Sequence, residues 1–397
     1  MERGRLIQYL VAFALSLSTA ALGTLSAWPT PVMPKFHNNQ TSVEITKNEI
    51  ATMLAMSPPG FVVGSLATRF ISDSLGRRAT VLASALPIVC GTIIAAFARV
   101  AWLLCIMKFL WGFGTGMVST IIDQELELMK RDVSKEMRNS SSAWEFFTGK
   151  QYRRPIMIAF GLKLTQVLTG GMSIQQYMGL ITQEIGLDVG LSTLLIIFGA
   201  VKFFVGIMSS TLVDRVGRRP LLIYSFFGTG ISLSVAGTYF FLQEYVRVDH
   251  AILKSYGIAA FVAIILSNGI STLGFNSIIG IISAEIFPLN IKTVAMTSLN
   301  VFGGCLGFSV AKSYQAINNV SGFYGVFWIF ASSAFLGAIF SYIAVPETKG
   351  KSLREIQEIL QIGTACTEEE SKLNDVQVVE MIEKCRDIKE SKKDSSL

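Results

Sequence analysis

Charged residues and histidines are scarce in this sequence of 397 residues. Asp, Glu, Lys and Arg together make up only 16% of the chain, whereas 51% of it is hydrophobic. Soluble domains carry about 25% charged residues, so the composition excludes that class and predicts an all-α polytopic membrane protein. With only two histidines and no Cys/His spacing of a ligand set, we expect no metal site and no cofactor.

The sequence also lacks the local motifs of catalysis. It has no nucleophile elbow, no phosphate-binding loop and no paired carboxylates or histidines within an apolar run, so we expect no enzyme activity. None of the five cysteines falls in a predicted outer loop, and we expect no disulfide. The net charge is +6, and the basic residues lie beside apolar runs. Basic residues in such positions determine which side of the membrane a loop lies on, so we do not expect nucleic-acid binding.

Ten apolar runs are long enough to cross a bilayer, which takes about 20 residues. The predicted spans are 9–28, 50–71, 79–97, 102–122, 156–181, 191–213, 221–241, 257–282, 294–311 and 323–345. The basic loops place both termini in the cytoplasm of a multi-pass cell-membrane protein. The first outer loop carries a sequon that predicts glycosylation at Asn39. The oligomeric state is left open.

One charged motif, D-x-x-G-R-R, occurs twice between two apolar runs. Its copies are Asp73–Arg78 and Asp214–Arg219. The glycine allows the backbone to turn, and the arginines keep the turn on the cytoplasmic side. A motif that recurs at the same point of two helical series is typical of an internally duplicated transporter.

The two series differ in length. Two spans precede the motif in each, but only two follow it in the first series and four in the second. The repeat therefore predicts that two spans are missing between about Thr120 and Asp123. We expect a truncated N-terminal bundle of four spans over 1–122, a cytoplasmic linker over 123–154, a six-helix bundle over 155–345 and a cytoplasmic tail over 346–397.

The span at 156–181 carries polar side chains at helical spacing on one face. Such a face must line a cavity or contact another helix within the bilayer. Neutral amides and hydroxyls suit a small neutral sugar, although the same groups can simply bond neighbouring helices. The substrate-binding candidates, on this span and on that at 294–311, are Gln166, Thr169, Ser173, Gln176 and Asn300.

Charged residues at the inner ends of the spans predict a cytoplasmic gate. Glu285 is placed to pair with Arg218 or Arg219, although it is alternatively a plain helix-end charge. The gate candidates are Asp73, Arg77, Arg78, Lys108, Asp214, Arg218, Arg219 and Glu285. Two further lysines, Lys163 and Lys202, lie within spans, where an uncompensated charge is expensive.

Together these motifs resemble the sugar porter family of the major facilitator superfamily, and most closely its insect facilitated trehalose transporters. The resemblance implies passive movement of trehalose or a hexose by alternating access around a midplane site. Proton-coupled sugar carriers usually have a carboxylate in the first span, and this chain has none there. The matching stretches are Asp73–Arg78, Lys108–Gly116, Asp214–Arg219, Ser283–Pro288 and Pro346–Leu353.

The chain also departs from that family. The family has twelve spans, and its fifth and sixth have no counterpart here. Gln166 and Asn300 match family positions, whereas Val167 and Met172 replace a glutamine and an asparagine. The open alternatives are a transport-incompetent sugar-porter-like isoform, a sensor or a truncated gene model. The two span lysines also raise the hypothesis of an anionic solute.

Overall fold

The computed structural model describes residues 20, 23–38, 41, 43–131, 152–187, 189–248, 250–287, 291–349 and 355. All regular structure in these residues is helical. In chain order the helices are α1 (Pro29–His37), α2 (Lys47–Ala55), α3 (Ser57–Leu75), α4 (Arg77–Phe97), α5 (Ala101–Arg131), α6 (Arg153–Leu168), α7 (Gly171–Ile185), α8 (Leu191–Val216), α9 (Arg218–Phe241), α10 (His250–Leu273), α11 (Phe275–Ile286) and α12 (Lys292–Ala344). A π-helical turn, Leu242–Val246, extends α9.

Seven helical segments of the described residues are long and apolar enough to cross a membrane. They are Lys47–Thr68, Ala101–Thr120, Arg153–Ile185, Leu191–Val213, Arg218–Val246, Ser255–Ile286 and Val294–Ala344. The shorter apolar helix Leu82–Phe97 coincides with the third predicted span. The first predicted span lies mostly outside the described residues. The helical membrane fold is therefore confirmed, and the count of ten spans stays a prediction.

The longest segment, α12, contains the last two predicted spans. A straight helix of its 53 residues would be about 80 Å long, far more than a bilayer. Gly322 interrupts it with φ 69° and ψ −172°. Tyr314 and Phe330, each eight residues from Gly322, face each other with ring centroids 6.3 Å apart. The two parts of α12 therefore form an antiparallel hairpin around one glycine.

Helices α3 and α5 lie in close backbone contact. A Cβ on Gly112 would overlap the backbone of Ser57, and a Cβ on Gly116 would overlap that of Phe61. Ser65 Oγ donates a hydrogen bond to Gly116 O at 3.4 Å. Residue numbers increase together in both helices from one contact to the next, so α3 and α5 run parallel. The glycines of α5 thus fix the register between the two helices.

Both D-x-x-G-R-R motifs form helix breaks with similar backbone conformations. Gly76 separates α3 from α4 with φ 77° and ψ 162°. Gly217 separates α8 from α9 with φ 103° and ψ 158°. A positive φ favours glycine, because it has no Cβ. The predicted tight turns are present, and their similarity agrees with an internal duplication.

Helix α8 is the least covered of the candidate spans. Only 11% of its apolar window is buried, against 33–56% in the other six. Large side chains such as Ile196, Phe203 and Phe204 are exposed along it. This helix therefore has the largest apolar surface left uncovered by the described residues.

Candidate substrate-binding site and cytoplasmic gate

The polar span predicted at 156–181 is two helices rather than one. Helix α6 ends at Leu168 and α7 begins at Gly171, because Gly170 adopts a left-handed conformation with φ 68°. The ring of Phe330 occupies the space that a Cβ on Gly170 would need. Thr169 Oγ1 donates to Gln166 O at 2.6 Å, so this predicted substrate-binding hydroxyl is already bonded within the break.

A polar network connects α6 with α11 just before this break. Lys163 Nζ donates to Gln166 Oε1 at 3.2 Å, and Gln166 Nε2 donates to the exposed Asn276 Oδ1 at 3.1 Å. The Lys163 stem fills the space beside Gly303 of α12. Asn300, one turn before that glycine, is half-buried. The structure thus places Gln166 in contact with Lys163, and Asn300 one helical turn from the glycine that packs against the same lysine.

Beyond the break, Ser173 is buried and the next turn of α7 lines a small cavity of about 60 Å³. Gln176 was predicted to bind substrate, and its buried Oε1 has no hydrogen-bond partner among the described residues. Gln175 was not predicted, yet its Oε1 accepts a hydrogen bond from Lys202 Nζ of α8. The cavity is lined by Leu25, Ser26, Ser57, Lys108, Trp111, Thr115, Met172, Gln175 and Gln176.

Lys108 belongs to this cavity, and its assignment to the cytoplasmic gate is corrected here. Its side chain is 3% exposed, and its Nζ lies 5.3 Å from the Trp28 ring and 5.2 Å from the Trp111 ring. Lys108 lies one turn before the glycine of α5 that contacts Ser57. Asp73 is 16 residues beyond Ser57, so about 24 Å further along α3. The predicted topology already places Lys108 near the outer end of the fourth span, and the register of α3 and α5 agrees with that position.

Two of the predicted gate residues meet at the inner end of α9. Arg218 Nη2 lies 3.3 Å from Glu285 Oε1 of α11, with 16% and 28% of the two side chains exposed. Arg219 bonds elsewhere: its Nη2 donates to Tyr342 O at 2.7 Å, and its guanidinium lies 5.6 Å from the Tyr342 ring. Of the two arginines considered, Glu285 therefore pairs with Arg218.

Glu347, which the sequence analysis did not single out, holds the same turn. Its carboxylate accepts hydrogen bonds from the backbone N–H groups of Arg218 and Arg219, both at 3.1 Å. Lys349 Nζ donates to Arg215 O at 2.6 Å. A carboxylate at a helix N-terminus faces the positive end of the helix dipole. The signal in the sequence was the charged stretch that follows the last span.

The remaining predicted site residues cannot be placed. Asn39, and the side chains of Asp73, Arg77, Arg78 and Asp214, lie outside what the structure describes, so their roles stay predictions. In the described ranges, no group of three or more His, Cys, Asp or Glu residues could hold a metal ion.

Two series of apolar helices, two similar charged turns and a polar cavity between the series are the features of the major facilitator fold. The profile of one family, described as sugar (and other) transporter, matches residues 5–123 and 122–360. This match extends over more than half of the chain. The chain therefore belongs to the sugar transporter family.

Named relatives agree with this family. The facilitated trehalose transporter Tret1-1 of Drosophila simulans is 26% identical over 443 positions, covering 88% of this chain and 51% of the relative. The Tret1-2 homologue of the same species is 26% identical and is covered over 90% of its length. The chain thus spans about half the length of the first relative. The inward-open xylose transporter XylE of E. coli has the same fold, with a TM-score of 0.65, 16% identity, and coverage of 87% of this chain and 99% of that chain.

The comparisons also bear on the missing pair of spans. The family match is divided in two at residues 122–123, where the repeat predicts the loss. The alignment with the first relative runs over 443 positions, more than the 397 residues of this chain. The relative therefore carries segments that this chain lacks.

Proposed function

We propose that this chain is a facilitative transporter of a small neutral sugar, trehalose or a hexose. The network from Lys163 through Gln166 to Asn276 carries the proposal. It offers amide donors and acceptors between two broken helices, and sugar hydroxyls can replace such bonds one for one. Membership of the sugar transporter family supports the substrate class, and the trehalose transporters among the relatives favour a disaccharide or its monomer.

We propose alternating access as the mechanism. The bundles over 1–122 and 155–345 would rock around the cavity, joined by the cytoplasmic linker over 123–154. The pair of Arg218 and Glu285 would hold the inner end of the second bundle in one of the two states. Glu347 would keep the turn between α8 and α9 rigid, so that the pair moves as a unit. The protein would lie in the cell membrane, with both termini and the tail over 346–397 in the cytoplasm.

Uptake by the purified chain in proteoliposomes tests this function. Radiolabelled trehalose and glucose should enter faster than into empty liposomes, and the entry should saturate with concentration. Gln166→Ala should reduce the initial rate at least about tenfold, because it removes both bonds of the central amide. Gln183→Ala is the matched control, since Gln183 bonds Asn38 away from this network.

The opposite outcomes are also informative. A Gln166→Ala rate equal to that of the native chain would remove this network from the sugar path. Absence of uptake by folded protein would overturn the transport proposal and favour the transport-incompetent alternative.

A further inference from the structure

The cavity beside Lys108 is lined by a buried amine that has no carboxylate partner among the described residues. This lysine is 3% exposed and lines the cavity, and no carboxylate of the described residues forms an ion pair with it. The rings of Trp28 and Trp111 attract a cation through their faces, but they bring no negative charge. A buried charge without a counterion is expensive in a membrane, so a site of this kind favours an anionic occupant.

A second lysine approaches the same cavity from the other helical series. Lys202 lies near the middle of α8, and its Nζ donates to the Gln175 side chain that lines the cavity. The acidic residue of α7, Glu184, is exposed and lies nine residues, about 13 Å, beyond Gln175. On α2, Glu49 is already bonded to Thr46 in a helix cap. Neither carboxylate compensates the two ammonium groups.

The other groups around the cavity complete a set of hydrogen-bond donors. Ser26 and Ser57 supply hydroxyls and Gln176 supplies a side-chain amide. Ammonium and hydroxyl donors that line one cavity are suitable partners for carboxylate and phosphate oxygens. The volume of about 60 Å³ holds about four waters at roughly 15 Å³ each, which suits one oxyanion group and is too small for a disaccharide.

We infer that this cavity is an oxyanion site, in which Lys108 binds a carboxylate or phosphate group directly and Lys202 contributes through Gln175 or by moving onto the anion. The site lies beyond the helix break from the Gln166 network, so it is separate from the neutral-sugar contacts. The oxyanion has two possible sources: a free anion, or the acid group of a sugar derivative whose ring extends out of the cavity.

Ligand binding to the full chain in lipid nanodiscs tests the inference. Sodium phosphate, sodium glucuronate and glucose are titrated in a low-chloride buffer, and binding is followed by calorimetry and by thermal unfolding. We expect at least one of the two anions to bind and to raise the unfolding temperature. Competition between phosphate and glucuronate indicates a free-anion site, whereas binding of glucuronate alone indicates the acid group of a sugar.

Variants then assign the binding to the lysines. Lys202→Gln should weaken anion binding at least about fivefold and Lys202→Arg should retain it, because the arginine keeps the charge. Lys108→Gln should abolish anion binding. If the Lys108→Gln variant does not fold, the anion affinity of Lys202→Gln tests the inference alone. Lys312→Gln is the matched control, because Lys312 bonds Thr52 and does not line the cavity.

Two results would overturn the inference: no anion binds the folded native chain, or Lys202→Gln binds the anion as tightly as Lys312→Gln. The uptake experiment is independent of both. Sugar uptake without anion binding removes only this inference, whereas anion binding without sugar uptake removes only the proposed function.

Discussion

Glu285 Oε1 lies 3.3 Å from Arg218 Nη2, so a side chain of α11 is tied to the first residue of α9. The next arginine, Arg219, contacts Tyr342 of α12 instead. Adjacent arginines of one motif thus connect the same helix end to two different neighbours. The motif therefore fixes the relative positions of the ends of three helices, α9, α11 and α12.

A double-mutant cycle on this pair should give a coupling free energy of about 0.5–1 kcal/mol. Both side chains are partly exposed, and such pairs fall in that range. The single variants Glu285→Gln and Arg218→Gln and their combination are compared by unfolding in detergent. The cycle of Glu285→Gln with Arg219→Gln is the control and should give a coupling near zero. Equal coupling to both arginines would contradict the pairing.

Glu347→Gln should lower the free energy of unfolding by about 1–2 kcal/mol. The substitution keeps the shape but removes the charge from a carboxylate that accepts two N–H groups at the start of α9. Glu44→Gln is the matched control, because Glu44 is exposed and should change stability by less than about 0.5 kcal/mol. The free energy of unfolding of both variants is measured in detergent. Equal effects of the two substitutions would contradict the stabilisation of the α9 N-terminus by Glu347.

The stacked rings of Tyr177 and Tyr314 lead us to expect opposite effects on stability from two substitutions of Tyr314. Their centroids are 4.1 Å apart, and in the described part of the chain neither buried hydroxyl has a hydrogen-bond partner. Tyr314→Phe should therefore be neutral or stabilise by up to about 1 kcal/mol, since it removes an unsatisfied polar group. Tyr314→Ala should cost about 3–5 kcal/mol through the cavity that it leaves. A Phe variant as unstable as the Ala variant would show that the hydroxyl makes a bond essential for folding.

The features predicted correctly depend on local chemistry. A run of about 20 apolar residues crosses a membrane whatever it packs against, and a glycine between charges turns at the membrane surface. The turns at Gly76 and Gly217 follow from the sequence for this reason. These local signals predict a duplicated membrane protein, whereas the family was predicted from the resemblance of five motif stretches to known sugar porters.

The features missed depend on contacts between helices. The polar face of 156–181 was read as one continuous helix, but the left-handed Gly170 resets the helical phase, so Gln175 as well as Gln176 lines the cavity. Lys108 was grouped with the gate although the predicted topology puts it near the outer end of its span. What the sequence does not contain is the packing of the α5 glycines on the α3 backbone, which fixes the register of the two helices. Such registers are properties of a packed pair, and no single stretch of sequence contains them.

The turn at Gly322 has a consequence for biogenesis. Gly322 reverses the chain between two helices that are each long enough to span the bilayer, and the polar residues 312–321 before it are the last turns of the first helix rather than a separate loop. Because so short a connection holds the two helices side by side, we expect them to enter the bilayer together as a hairpin, with the backbone groups of each helix satisfied within that helix.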